Sequence, residues 1–288
     1  MDRLFDFTLT ADLLGRPFVQ TALLAGAILG LLAGVLGPLI ISRNMAFSVH
    51  GTSELSFTGG AAALLLGINV GFGALAGAIV AAVILGVLSR RSSEHDSVIG
   101  VVLAFGLGVG VLLLSFYKGR SSNKFGLLTG QIIGVDTQGL ELLGGCAVVV
   151  LVVLAVIYRP LLFASVDPEV AVARGVPTQL LTPVFAVLVG VATAMGVQTV
   201  GALLVLALMI TPAAAACRVT SSPLRATILS VIFAEVSAVG GIILSLAPGK
   251  PISSFVTAIS FVIYLICRLV DYLRSHARST TTPAPTPA

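Results

Sequence analysis

Charge is scarce in this sequence. Asp, Glu, Lys and Arg make up 10% of its 288 residues, against about a quarter in a soluble domain, while 57% are apolar and the mean hydropathy is +1.10. That balance excludes a water-soluble globule and makes the bilayer the solvent. The formal net charge of +4 does not point to nucleic acid, because the cations are scattered between apolar runs instead of clustered on one face. Cysteine is scarce as well. Cys146, Cys217 and Cys267 are far apart, lie in or beside apolar runs and form no CxxC pair. Neither a disulfide framework nor a thiolate metal site is indicated, and all three read as small buried hydrophobes. A GxxxxGK[ST] phosphate loop is absent, the single Gly-Lys pair (Gly249, Lys250) being followed by Pro251. Any process driven by nucleotide hydrolysis therefore needs a second protein. GxSxG and HExxH are missing too, which leaves an intramembrane enzyme without a recognisable nucleophile or base. The N-terminus carries Asp2, Asp6 and Asp12 in place of the basic start of a secretory signal.

What is present is a series of long apolar runs. A helix needs about 20 mostly apolar residues to cross the hydrocarbon, and residues 17–41, 97–117, 139–158, 180–197, 199–217, 226–246 and 252–270 meet that length or come close. A further apolar stretch over 55–89 is interrupted by GINVG at 67–71 and reads as two shorter spans meeting at a turn. The fold class is all-α, a polytopic transmembrane bundle of eight or nine spans. Three parts are expected: an N-terminal segment 1–16, a transmembrane domain 17–272, and a disordered basic and Pro/Thr-rich tail 273–288 ending in STTTPAPTPA. Nine crossings with the C-terminus inside place Arg43, Arg90, Arg91, Arg159, Arg174, Arg218, Arg225, Arg268, Arg274 and Arg278 in the cytoplasm. Arg3, Arg16, Lys118, Arg120, Lys124 and Lys250 remain outside. The excess of inner cations favours that orientation. A re-entrant 55–69 piece would reduce the count to eight and move the N-terminus inside. Glycine, at 31 residues, recurs in patterns such as GAILGLLAG (26–34) and GLGVG (106–110), which is how helices in lipid approach closely.

Ionisable residues within a span are costly and face a partner or a wet route. His50 and Glu54, four apart, would share one helix face and offer one nitrogen and one carboxylate, donors suited to Zn²⁺, Mn²⁺ or Fe²⁺ more than to Cu(I). The bland alternative is a satisfied structural pair. Gly51, Thr52 and Ser53 between them weaken a helix, so a broken helix with His50 at the break is as acceptable as a continuous one. Glu235, mid-span between Ser230 and Ser237, reads equally as interhelical glue or as part of a pathway. His95 and Asp96, next to Arg90, Arg91 and Glu94, read as a solvated charged loop, and His276 as solvated in the basic tail.

Four stretches, in order, carry a resemblance over roughly residues 17–272: GPLIISRNMAF (37–47), DSVIG (96–100), DPEVAVARGVP (167–177) and VGALLVLALMITPAAAA (200–216). The chain resembles the permeases of the manganese, zinc and iron ABC importers, the ABC-3 family. That resemblance implies a type II importer-like permease in the cytoplasmic membrane. It implies no enzymatic activity and no permanently bound cofactor, with a divalent metal ion as the transported substrate. Implied partners are an ABC ATPase, a metal-binding solute-binding protein, a second copy of this chain and membrane lipid, with no nucleic acid. In the family the second span usually reads Met-x-x-x-Gly-Asp-x-x-x-His-Ala. Counted from Met45, the Asp and His positions fall on His50 and Glu54, so the donor types are kept with their order inverted. The family's ATPase-contacting segment falls on Asp167, Pro168, Glu169, Val170, Ala171, Val172, Ala173, Arg174 and Gly175. The loop with Lys118, Arg120 and Lys124 offers positive charge to an acidic docking surface, or is equally an ordinary solvated loop. The competing reading is a self-sufficient proton-coupled carrier using Glu235 with His50 and Glu54 as its relay.

Overall fold

The computed structural model describes residues 12–88, 95–119, 137–248 and 251–279, and its long elements are all α-helices. In chain order they are α1 (Pro17–Ser42), α2 (Ala46–Leu66), α3 (Val70–Leu88), α4 (His95–Phe116), α5 (Thr137–Val166), the short α6 (Pro168–Ala173), α7 (Thr178–Val200), α8 (Ala202–Val219), α9 (Pro223–Leu246) and α10 (Ile252–Ser279). Six of these regions are long and apolar enough to cross a membrane: Pro17–Ser42, Ile99–Phe116, Thr137–Val166, Thr178–Thr199, Pro223–Leu246 and Ile252–Arg274.

Most of these helices lie where the apolar runs placed them, and the turn expected at 67–71 is there. Gly67 closes α2 in the left-handed region, with φ of 73°, and α3 begins at Val70. Three details differ from expectation. First, α2 is one continuous helix through Gly51, Thr52 and Ser53, so no break occurs at His50. Close packing against neighbours on several sides outweighs the weak helix propensity of those residues. Second, Thr199 belongs to α7, and the next helix starts after Gly201, whose φ of 85° favours glycine. Third, Cys217 is exposed while Cys267 is buried, because Cys217 lies in the last turn of α8. α10 runs past residue 272 to Ser279. Arg90, Arg91, Glu94, Arg120, Lys124 and most of the Pro/Thr tail lie outside the described residues, as does the N-terminus before residue 12.

Helix directions follow from residue contacts. Along α1, Gly26, Gly30 and Gly34 meet Ile242, Glu235 and Val231 of α9, so the two run antiparallel, with Gly34 against the Val231 backbone, while Gly37 lies against Met209 O and Ala213 of α8. Gly59, Gly73 and Gly77 bring α2 and α3 together in the same way, with Gly59 against Gly73 O and Gly77 against Leu55 O. α4 runs parallel to α2, with Ile99 beside Gly51, Gly106 beside Leu55 and Gly110 under the Phe57 ring. Gly71 and Leu142 put the starts of α3 and α5 together, and Arg43 meets Ser165 and Thr182, which puts the end of α5 and the start of α7 beside the α1–α2 turn. The long helices thus reverse direction one after another. One end of the bundle carries Arg43, Arg174, Arg218 and Arg274, and the other carries Gly67, Lys118 and Gly201.

The periphery is apolar. α5 and α10 expose Val148, Val152, Val156, Phe261, Leu265 and Leu269, the surface a lipid-facing helix presents. Inside, α2 is enclosed by α3, α4, α7 and α8, and its residues 51–57 are all buried. Association by small residues makes a specific expectation. A Cβ at Gly34 would strike the Val231 backbone, 2.7 Å from its nitrogen, whereas at Gly108 or Gly144 nothing lies within 4 Å. Gly34→Val should cost about 3 kcal/mol or more and lower the melting temperature in detergent, with Gly108→Ala and Gly144→Ala close to neutral. Equal melting temperatures for all three variants would refute this account of the α1–α9 contact.

Candidate metal-handling site

Helix α2 is the one polar helix in the centre of an apolar bundle. Ser48, Thr52, Ser53, Glu54 and Ser56 are all buried in it, and polar groups inside a membrane must find partners. The hydroxyls find backbone. Thr52 Oγ1 donates to Ser48 O at 2.8 Å and Ser56 Oγ to Ala74 O of α3 at 3.0 Å. Thr58 Oγ1 lies 2.9 Å from Glu54 O and 2.5 Å from Gly106 O of α4. The glycines at 73, 77 and 106 permit those approaches by removing the side chains that would hold the backbones apart.

Each candidate ligand has one buried atom that finds no partner. His50 Nδ1 and Glu54 Oε2 are buried atoms with no hydrogen-bond partner. They sit one turn apart on α2, where an i, i+4 pair has Cβ atoms about 5–6 Å apart. Glu54 is 4% exposed, and His50 is half-buried with its ring 6.5 Å from that of Phe47. An uncompensated carboxylate at such a place costs several kcal/mol until a proton or a cation neutralises it. The described ion pair of the chain lies elsewhere, between Arg218 and Asp271 at 4.0 Å. At 1.5 Å per residue, Glu54 lies about 12 Å along α2 from Ala46, with His50 nearer the arginine-bearing end. The pair thus combines a deep carboxylate with an imidazole closer to the helix mouth. Among the described residues no group of three His, Cys, Asp or Glu side chains comes together, so Glu235 does not join the pair.

Glu235 instead lies on the α1–α9 contact. Its carboxyl covers Gly30, where an added Cβ would stand 3.0 Å from Oε1. α9 packs on α1, α8 and α10.

The segment from Asp167 to Gly175 forms a capped helical turn between α5 and α7. Asp167 Oδ1 accepts from Val170 N at 3.0 Å, Pro168 occupies the first position, and Arg174 caps the far end. Gly175 has φ of 81°, and Val176 N donates to Ala171 O at 3.0 Å, closing the turn. Ala171 is buried while Val170, Val172, Ala173 and the ends of the segment face outward. His95 and Asp96 open α4 instead of forming a loop.

Sequence reasoning missed Arg43 as anything more than a topological charge. Its guanidinium is half-buried, bonds to Ser165 Oγ at 3.2 Å and Thr182 Oγ1 at 2.7 Å, and stands 5.8 Å from the centroid of the fully buried Phe185 ring. Burial pulls its pKa down. The available signal was a lone arginine at the end of an apolar run, immediately before the polar helix.

Comparison with known proteins places these features in a family. The family profile described as "ABC 3 transport family" matches residues 16–271. The chain is 31% identical to the manganese transport system membrane protein MntC of Listeria monocytogenes over 92% of its own length and 96% of that protein. It is 30% identical to the manganese import system permease protein ScaB of Streptococcus parasanguinis over 86% and 89% of the two chains. Among solved structures it is similar to PsaBC from Streptococcus pneumoniae in complex with Fab, with a TM-score of 0.82, 26% identity and coverage of 91% and 95%. A putative metal-chelate type ABC transporter in an inward-facing conformation shares the fold, with a TM-score of 0.63 at 17% identity over 87% and 85% of the two chains. The chain, a multi-pass protein of the cytoplasmic membrane, belongs to the ABC 3 transport family.

Proposed function

We propose that this chain is the membrane permease of an ABC importer for a divalent transition metal ion, with Mn²⁺ as the first candidate and Zn²⁺ and Fe²⁺ as its rivals. The observation that carries the reading is the pair of unpartnered buried donors, His50 Nδ1 and Glu54 Oε2, on a helix whose hydroxyls bond to backbone. One imidazole and one carboxylate suit these ions, and the manganese-permease relatives support Mn²⁺. Two ligands from one chain make a weak site, and a weak site is what transport requires, since the ion must leave as readily as it enters. Water or a second copy of the chain completes the coordination. The ion passes from the enclosed Glu54 to the half-buried His50 and leaves at the arginine-bearing end.

In this reading the domain 17–272 crosses the membrane nine times in a type II importer arrangement, with the arginine-bearing end in the cytoplasm. The 21-residue length of α2 supports a full crossing despite its polarity, since about 20 residues suffice. Hydrolysis comes from a separate ATPase, which contacts residues 167–175 through the outward Val170, Val172 and Ala173. A solute-binding protein delivers the ion at the opposite end. Glu235 serves as a tie between α1 and α9 and takes no part in the ion route, which removes one member of the proton-relay alternative.

Three outcomes test this in proteoliposomes holding the permease, its cognate ATPase and its binding protein, with Mn²⁺, Zn²⁺ and Fe²⁺ compared in parallel. His50→Ala and Glu54→Ala should each abolish uptake while the complex still assembles on size exclusion; normal uptake by both would remove the pair from the pathway. Glu235→Gln keeps a hydrogen-bonding side chain over Gly30 and should transport at the unmodified rate, so a dead Glu235→Gln would put that residue back on the ion route. Ala173→Asp adds a charge to the outward face of α6 and should separate ATP hydrolysis from uptake without changing expression. Unaltered uptake there would show that the ATPase docks elsewhere.

A further inference from the structure

Arg43 occupies the three-residue turn between α1 and α2. That turn is tight, with Asn44 in the left-handed region at φ 54°, Asn44 N donating to Ile41 O at 3.0 Å and Met45 N to Ile40 O at 2.9 Å. Whatever displaces Arg43 therefore displaces the start of α2. Its two partners bracket the α6 segment: Ser165 lies two residues before Asp167, and Thr182 is the fifth residue of α7, one turn after its start at Thr178. Both hydroxyls are fully used. Ser165 Oγ donates to Leu161 O at 2.7 Å and Thr182 Oγ1 to Thr178 O at 3.1 Å, so each presents a lone pair to the guanidinium and its proton to the backbone of its own helix. Arg43 is thus joined through single atoms to the backbones of α5 and α7. The ring of Phe185, also on α7, lies beneath it.

This arrangement is unusual for stability alone. A half-buried guanidinium whose described partners are two neutral hydroxyls recovers less than one facing a carboxylate, and its Nε is buried without a partner. What the geometry supplies is connection: the planar fork reaches two helices at once, which a point-charge ammonium does not. We infer that Arg43 is a positioning residue that carries displacement of the 167–175 segment to the helix bearing His50 and Glu54. The inference rests on the reading above of that segment as the ATPase contact and of α2 as the metal-handling helix.

The test uses the assembled importer in proteoliposomes with Mn²⁺. Its readout is the ratio of ATP hydrolysis stimulated by metal-loaded binding protein to basal hydrolysis, with the melting temperature of the complex followed alongside. The double variant Ser165→Ala/Thr182→Ala leaves Arg43 and its charge in place and removes both bridges. It should lower the stimulation ratio about tenfold, within the range of coupling effects along contiguous networks, while basal hydrolysis and melting temperature stay unchanged. Arg43→Lys should fall between this variant and the unmodified protein. An unmodified ratio in the double variant overturns the inference, and so does a lowered ratio accompanied by an equal fall in melting temperature. Should Arg43→Lys fail to assemble, the double variant decides alone. His50→Ala run beside them separates the two layers of argument. Loss of uptake in His50→Ala with an intact ratio in the double variant sinks only the role of Arg43, whereas normal uptake in His50→Ala sinks the site on which that role rests.

Discussion

Backbone-to-backbone contact at glycine is the constraint on which the rest of this protein depends. Lipid tails are as apolar as leucine, so burying leucine between helices gains little, and association rests on close packing and on hydrogen bonds that close packing brings into reach. Gly34 of α1 meets the Val231 backbone of α9, Gly37 meets Met209 O of α8, and Gly59, Gly73 and Gly77 join α2 to α3. The last set has a chemical consequence. Because α3 and α4 come so close, the hydroxyls of Ser56 and Thr58 reach the carbonyls of Ala74 and Gly106. A helix with a row of buried polar side chains can then sit at the centre of the bundle at little cost, apart from the two side chains that no neighbour satisfies.

That exception is what the proposed function is built on. Satisfying a hydroxyl takes one carbonyl, and helical backbones supply carbonyls wherever a glycine lets them approach. Satisfying a carboxylate takes a cation or a proton, and among the described residues no lysine or arginine forms an ion pair with Glu54. A structural pair would have closed on itself or on a neighbour, since unsatisfied buried groups are expensive and rare in native proteins. The open valences of His50 Nδ1 and Glu54 Oε2 are the observation on which the proposed metal route rests.

Much of the architecture was legible in the sequence because its signals are local. Apolar runs of sufficient length announced α1, α4, α5, α7, α9 and α10. GINVG announced the α2–α3 turn, because glycine alone accepts the left-handed φ at residue 67 without strain. Asp167, Pro168 and Gly175 announced a capped turn through their separate preferences for cap, first position and end. The i, i+4 relation of His50 and Glu54 was equally local. Whether α2 was broken was not legible, because Gly51 argues against a helix on propensity while the packing that overrides propensity comes from Ile99 of α4 and from α7, distant in sequence. The partners of Arg43 were hidden for the same reason: Ser165 and Thr182 are unremarkable hydroxyls until the fold sets them side by side.

Glu235 shows how the same residue type takes opposite meanings in one membrane domain. Both Glu54 and Glu235 lie within helices of an apolar bundle, and hydropathy alone treats them alike. Glu235 covers a glycine, so its carboxyl lies against the backbone of α1. It fills the notch that Gly30 leaves, joining two helices that a larger residue at 30 would separate. Glu54 has a glycine neighbour as well, Gly106, but there an added Cβ would stand 3.3 Å from the α2 backbone at Glu54 and Leu55, and the carboxyl keeps one buried oxygen, Oε2, without a hydrogen-bond partner. The side of the helix from which the glycine approaches therefore separates the two acids: Gly30 faces the Glu235 carboxyl and is covered by it, whereas Gly106 faces the α2 backbone and leaves Glu54 Oε2 buried without a hydrogen-bond partner.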